Sequence, residues 1–274
     1  MRLLKRLATL LSLSLMLGLV GCSSLSLAYN QMPLLAGLWV DHYLDLDSAQ
    51  RGRLKDALQA WQAWHRREEL PQWLALLRQG QAALDGGVTP DELAALERGA
   101  QASLERCLQH AAPLAAPLLA ELRPAQWQHL QKTMDEKNAE WQAKVGGRGG
   151  AAERAKRYIT NLERWLGDLD RSTRRQARAD AEGWHFDLAA MAQGRATRQA
   201  RTLEGLRAWS RQDLAGGTAV FMRNVQTLPG EQLYRDQITA SLLQLLNGLD
   251  ARQLQQVRKH WADWSAELHR LQAN

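Results

Sequence analysis

The chain has 274 residues, 45% hydrophobic and 23% charged, and its 35 Lys and Arg against 29 Asp and Glu give a net charge of +6. That length supports one large core or two small ones. So mild a balance, with Arg2, Lys5 and Arg6 at the very start, excludes a nucleic-acid footprint over the body. Two cysteines exclude a disulfide scaffold, and 11 Trp against 2 Phe point to a core and rim built from indole rings.

The N terminus reads as a secretory leader: the three basic residues precede an uncharged run from Leu7 to Gly18. That run is shorter than the roughly 20 residues a membrane span needs. Ser23, Ser24, Tyr29, Asn30, Gln31 and Pro33 argue against one long membrane helix reaching Val40. The closing phrase Leu19-Val20-Gly21-Cys22 resembles a bacterial lipobox. The resemblance implies cleavage between Gly21 and Cys22, removal of residues 1–21 and acylation of Cys22, palmitate included. Two or more acyl chains give stable anchoring where one does not. By resemblance to sorted lipoproteins, Ser23 in place of Asp implies the periplasmic face of the outer membrane. Loss of the leader lowers the net charge from +6 to +3. An alkylated Cys22 leaves Cys107 without a disulfide partner. Its spacing from Leu104, Leu108 and Ala111 predicts a buried, inert thiol.

Residues 22–31 read as a lipidated polar tether and 32–274 as a helical domain, with a possible sub-boundary at Gly146–Gly150. Pro33 to Tyr43, with Leu34, Leu35, Leu38 and Trp39, predicts a first helix. Stripes at steps of three and four follow: Leu54, Leu58 and Trp61; Trp73, Leu74 and Leu77; Leu93, Leu96 and Leu104; Trp127, Leu130 and Met134. No period-two run of β-branched residues appears, so the predicted class is all-α, a bundle of roughly eight to eleven helices. Breaks are expected at Asp85-Gly86-Gly87, Pro113–Pro117, Gly146–Gly150 and Gly216-Gly217.

One phrase, Leu-x-x-x-Gln, recurs at Leu46–Gln50, Leu122–Gln126, Leu228–Gln232 and Leu249–Gln253, with looser copies at Val88–Glu92 and Leu169–Thr173. Spacings of 21 to 59 residues are too irregular for a stacked repeat. An apolar residue, a cap and Gln or Glu three positions later describe capping boxes with hydrophobic staples. The phrases also resemble the Leu-Thr-x-x-Gln motifs of Spy-like and CpxP-like periplasmic proteins. That resemblance implies ATP-independent chaperone or stress-sensing work in a helical cradle, although Thr is absent from the second position of all four Gln-containing copies.

A further likeness spans nearly the whole chain. The lipobox, Tyr29-Asn30, Leu38-Trp39, Tyr43, His65-Arg66-Arg67-Glu68-Glu69-Leu70-Pro71 and Arg164-Trp165-Leu166-Gly167 resemble an uncharacterised family of proteobacterial lipoproteins of unknown function.

Chemistry is sparse. His65 and Glu69 share a helical face, and the cluster reads as helix-end ion pairs ahead of Pro71. The seven histidines give no metal-ligating spacing, and no nucleophile or phosphate-loop motif occurs. No catalytic residue, metal or cofactor is assigned. The segment Lys144–Arg211 holds 15 basic and 8 acidic residues. Within it Arg174, Arg175, Arg178, Arg195, Arg198 and Arg201 flank Ala177, Ala181, Trp184, Leu188 and Met191 on a basic helical stretch. Gly183, Gly194 and Gly205 there could permit close backbone approach. This is the candidate binding surface, for acidic lipid headgroups or protein clients. The resulting expectation is a non-enzymatic, lipid-anchored envelope protein with a Trp-lined groove rimmed by Arg, chaperone-like or stress-adapting. The alternatives are a structural lipoprotein docking one dedicated partner, and a hydrolase whose site is assembled from distant helices. The sequence assigns no oligomeric state.

Overall fold

A computed structural model describes residues 24–273. The residues read as a leader and a lipobox, Cys22 included, lie outside the described residues. Twelve α-helical segments follow in order: α1 (Ser24–Asn30), α2 (Met32–Leu44), α3 (Ser48–Trp64), α4 (Leu70–Gly86), α5 (Pro90–Ala120), α6 (Pro124–Gly146), α7 (Gly150–Leu166), α8 (Arg171–Gly183), α9 (Leu188–Ser210), α10 (Leu214–Met222), α11 (Gln232–Asn247) and α12 (Ala251–Ala273). A π-helical turn, His65–Glu69, joins α3 to α4 without interruption, so Ser48–Gly86 counted as one rod makes eleven. Among the described residues there is no strand, and the all-α expectation holds.

The recurring phrases are helix starts, and they explain the architecture. Asp47 caps α3 in a reciprocal box with Gln50, Thr89 caps α5 with Glu92, and Asp250 caps α12 with Gln253. Two starts repeat one device. The Gln126 amide accepts from Arg123 N (3.0 Å) and donates to Asp45 O (2.9 Å) and Gln50 Oε1 (2.8 Å). The Gln253 amide accepts from Asp250 N (2.8 Å) and donates to Asp170 Oδ2 (2.7 Å) and Thr173 Oγ1 (2.8 Å). A Glu would cap equally well, but only Gln keeps a donor to reach the next helix start.

These devices mark two copies of one four-helix arrangement. Asp45-Leu46-Asp47 recurs as Asp168-Leu169-Asp170. Leu118-Leu119, Leu122, Gln126, Gln128 and Lys132 recur at the same spacing as Leu245-Leu246, Leu249, Gln253, Gln255 and Lys259. In the first unit α2 packs on α3 and α6, and α3 on α5; in the second α7 packs on α8 and α12, and α8 on α11. The segments in between cross over. α4 packs on α12 of the second unit, while α9 and α10 pack on α5 of the first. One buried core joins Leu44, Leu54, Leu119, Leu130, Leu203 and Trp209; the other joins Leu84, Val88, Ile159, Leu162, Ala177 and Val257.

Three expectations need correction. Pro113 and Pro117 do not break α5, which runs through both. Buried Ala112 and Ala116 let neighbouring helices approach closely, and that packing outweighs the roughly 3 kcal/mol an internal proline costs. Gly216 and Gly217 lie inside α10, where Asp213 accepts from Gly216 N (2.9 Å) and Gly217 passes against Gly205 O. The described part of the tether is helical and docked. Tyr29 OH meets His65 Nδ1 (3.0 Å), Arg66 Nη2 donates to Asn30 Oδ1 (2.8 Å), and Ser26 bonds Glu267. The glycine patch 146–150 is a tight turn, closed by Gly150 N to Gly147 O (2.8 Å) and spanned by the Lys144–Glu153 ion pair.

The His65–Glu69 cluster is likewise no helix end. Leu70 N bonds His65 O, and the widened turn carries Glu69 inside, 1% exposed. Burial there would raise the Glu69 carboxyl, but Arg106 (2.6 and 3.0 Å) and Ser103 (2.7 Å) donate to it and hold it below the usual range. Cys107, beside this cluster, is half-buried, and burial pushes its thiol up to about 11.

Candidate functional site: a tryptophan-lined cavity

An apolar cavity of about 600 Å³ lies against the second core. α4 supplies Trp73 and Leu77, α5 supplies Leu93 and Leu96, and α6 supplies Trp141 at its end. Opposite stand Tyr158, Leu162 and Trp165 of α7, Tyr234 and Ile238 of α11, and Trp261 of α12. The link between α8 and α9 adds Trp184 and Phe186. Such a space falls within the roughly 300–1,000 Å³ of small-molecule sites.

The aromatic wall is ordered ring against ring. Tyr158 meets Trp184 edge-on at 4.7 Å, Trp184 meets Tyr234 at 5.8 Å, and Tyr234 meets Phe186 at 5.2 Å. Gln237 fixes the link that carries Trp184 and Phe186, accepting from His185 N (2.9 Å) and donating to His185 O (3.2 Å). Asn247 clamps Val88 in the same way, at 2.8 and 2.9 Å, and so ties the end of α11 to the start of α5. Gly80 allows Trp261 to lie on α4, since a Cβ there would sit 2.9 Å from the ring. Burial raises the Tyr158 and Tyr234 hydroxyls, so both stay protonated at neutral pH.

Arg154 breaks the apolar pattern. Its guanidinium stacks 4.1 Å from the centre of Phe186, Nη1 donates to Val145 O (2.9 Å), and Nε is buried with no hydrogen-bond partner. Beside the cavity a basic depression of about 350 Å³ carries Lys156, Arg157 and Arg164, with Glu153 as its acid. Arg157 and Asn161 belong to both spaces.

Of the residues expected to form a binding surface, Trp184 and Met191 reach the cavity, and none of the six arginines does. The basic helical stretch is divided at residues 184–187, and its arginines are held elsewhere. Arg174 pairs with Glu163, Arg178 with Glu182 (3.7 Å), and Arg175 stands exposed on α8. Arg195 stacks on Trp141 (4.7 Å) and bonds Asn138. Arg198 forks onto buried Glu231 (2.5 and 2.6 Å), and Arg201 donates to Arg223 O (2.7 Å). The expected close approach occurs at Gly194, against Glu231, and at Gly205, against α10, whereas Gly183 faces open space. Leu46, Gln50, Leu122 and Gln126 are buried; Leu228, Leu249 and Gln253 are partly so, and Gln232 is exposed. The phrases are thus spread over helix starts and line no common groove.

Sequence reasoning missed Arg154. The signal was present: Arg154 shares the i, i+4, i+8 register of Tyr158 and Leu162, a cation on an otherwise apolar stripe.

A family model described as "Family of unknown function (DUF6279)" matches residues 42–235, most of the chain. The chain belongs to DUF6279. No curated protein and no solved structure matches it. The DUF6279 match takes in both crossing segments and every cavity wall up to Tyr234. Among the described residues no helix is long and apolar enough to cross a membrane, and no group of three or more His, Cys, Asp or Glu gathers to hold a metal.

Proposed function

We propose that this DUF6279 protein is a non-enzymatic envelope lipoprotein whose cavity receives the apolar part of an envelope component. The cavity is the observation that carries the reading. Its lining is almost wholly apolar, and each methylene that enters contributes about 0.8 kcal/mol. Aromatic rings from α4, α6, α7, α11, α12 and the link between α8 and α9 give an apolar group contact.

Anchoring through acylated Cys22 at the periplasmic face of the outer membrane belongs to the same proposal, and an exposed stripe supports it. Leu27, Leu34, Leu35, Leu38 and Trp39, at 56–63% exposed, follow Cys22 along α1 and α2 at helical spacing. An apolar stripe bearing Trp suits the interface of a bilayer. Mass spectrometry of the mature chain checks the anchor: Cys22 is expected at the N terminus with its acyl mass, and an intact Met1 would remove this part.

The cavity is tested with the neutral fluorophore N-phenyl-1-naphthylamine. Its emission is expected to rise on adding the native protein, with a stoichiometry near one. Ala100, on the cavity wall, offers the control. Ala100→Trp places an indole in the space and should weaken the signal while the helical content stays unchanged. Equal signals from both proteins, or none from either, would refute a binding cavity.

A further inference from the structure

Resting on that reading, we infer that the cavity's ligand is a single-chain anionic amphiphile whose head binds Arg154 while its chain lies among the Trp rings. Three observations converge. First, of the two arginines that line the cavity Arg157 is paired with Glu153, whereas none of the ion pairs among the described residues involves Arg154. Its planar fork has five donors, which suit carboxylate or phosphate oxygens.

Second, of the Arg154 donors only Nη1 is hydrogen-bonded to the protein, at Val145 O (2.9 Å). Phe186 beneath the guanidinium holds its plane at 4.1 Å, which orders the fork before any ligand arrives.

Third, the charge around the mouth has the complementary sign. Lys156, Arg157 and Arg164 outnumber Glu153 in the adjoining depression, and Glu153 is itself committed to Arg157 (3.1 Å) and Lys144 (3.2 Å). An anionic head therefore meets positive potential on approach and a fixed guanidinium at the wall. Apart from Arg157 and Asn161, which it shares with that depression, the remaining lining is aliphatic and aromatic, which fits a chain.

The experiment displaces N-phenyl-1-naphthylamine from the full chain, in detergent-free buffer, with three ligands of equal chain length: dodecanoate, dodecyl phosphate and dodecan-1-ol. All are held below their aggregation concentrations. Both anions are expected to displace the probe at about 10- to 100-fold lower concentration than the alcohol, the range a charge-assisted hydrogen bond gives. Their order distinguishes a free fatty acid from a phospholipid-derived source. Arg154→Met should remove the preference and leave displacement by the alcohol unchanged; Arg154→Lys should keep part of it. Equal displacement by alcohol and anions in the native protein overturns the inference but leaves the apolar cavity standing, and this comparison needs no variant. A preference that survives Arg154→Met also overturns it. Failure of every ligand, the alcohol included, sinks the binding cavity as well.

Discussion

The first and second four-helix units use the same starts, the same order of contacts and the same glutamine device, yet one is closed and the other is open. The difference lies in what crosses over to cover each. The first unit receives α9 and α10, which bring buried Leu203 and Trp209 into its core. Glycines at 205 and 217 let those two helices approach to backbone contact. The second receives α4, whose Gly80 admits Trp261 but whose Trp73 and Leu77 stop at the edge of the cavity. A repeated scaffold therefore carries stability in one copy and a binding space in the other, according to the volume of the inserted segment.

The largest expected contrast is between two tryptophans. Trp209 is 4% exposed, meets Phe221 at 4.7 Å with the rings tilted by 58°, and donates to Leu214 O (3.1 Å). Trp209→Ala should cost about 3–5 kcal/mol, as for other large aromatic truncations in a closed core. Trp73 borders space that is already empty, so Trp73→Ala should cost roughly 1–2 kcal/mol and chiefly weaken probe binding. Urea denaturation of both variants measures the gap; equal losses would mean that the cavity wall is as tightly packed as the core.

Next come the glycines. A Cβ on Gly217 would lie 2.3 Å from Trp209 Cδ1 and 2.8 Å from Gly205 O, and backbone cannot yield. Gly217→Ala is expected to cost about 1–3 kcal/mol through overpacking. At Gly80 the obstacle is the far edge of the Trp261 ring, a side chain at the cavity wall tethered by one hydrogen bond from its Nε1 to Trp165 O. The better helix propensity of Ala, about 0.5–1 kcal/mol, should there bring Gly80→Ala close to neutral. Thermal melts decide the pair. A large loss at Gly80 would show Trp261 fixed in place.

The helical class and most helix starts were legible, because apolar periodicity and capping chemistry are local. Val88–Glu92, Leu46–Gln50 and Leu249–Gln253 announce their boxes within five residues. What was not legible depends on distant partners. Pro113 and Pro117 read as a break because nothing local shows that α9 and α10 will pay for them. The arginines of α8 and α9 read as one face because Glu163, Asn138 and Glu231, which hold Arg174, Arg195 and Arg198, come from other elements. The Trp content foretold an aromatic rim, but not that Trp73, Trp141, Trp184 and Trp261, from separate segments, would face one space. The unequal spacing of the phrases hid the duplication, since the segment between the second and third starts differs in length in the two copies.

The smallest contrast concerns the two glutamines, and it tests why Gln stands there. In Gln126→Glu the cap on Arg123 N survives, but a carboxylate oxygen replaces the donor to Asp45 O in a buried site. The cost should be about 1–3 kcal/mol, the usual consequence of an unmatched buried polar group, and insensitive to salt. Gln253→Glu also keeps its cap, on Asp250 N, while its new oxygen faces the Asp170 carboxylate. Asp170 is held well below the usual carboxylate range, by Thr173 N above all and then by the Ser172 and Thr173 hydroxyls, so it stays charged and repels the newcomer. Because Gln253 is only half-buried, that repulsion should be the weaker effect and should fade as salt rises. Melting curves at 50 mM and 1 M salt separate the two, with recovery expected for Gln253→Glu alone. Recovery of both would mean that the first-unit pair is as wet as the second, and that burial does not distinguish the copies at their helix starts.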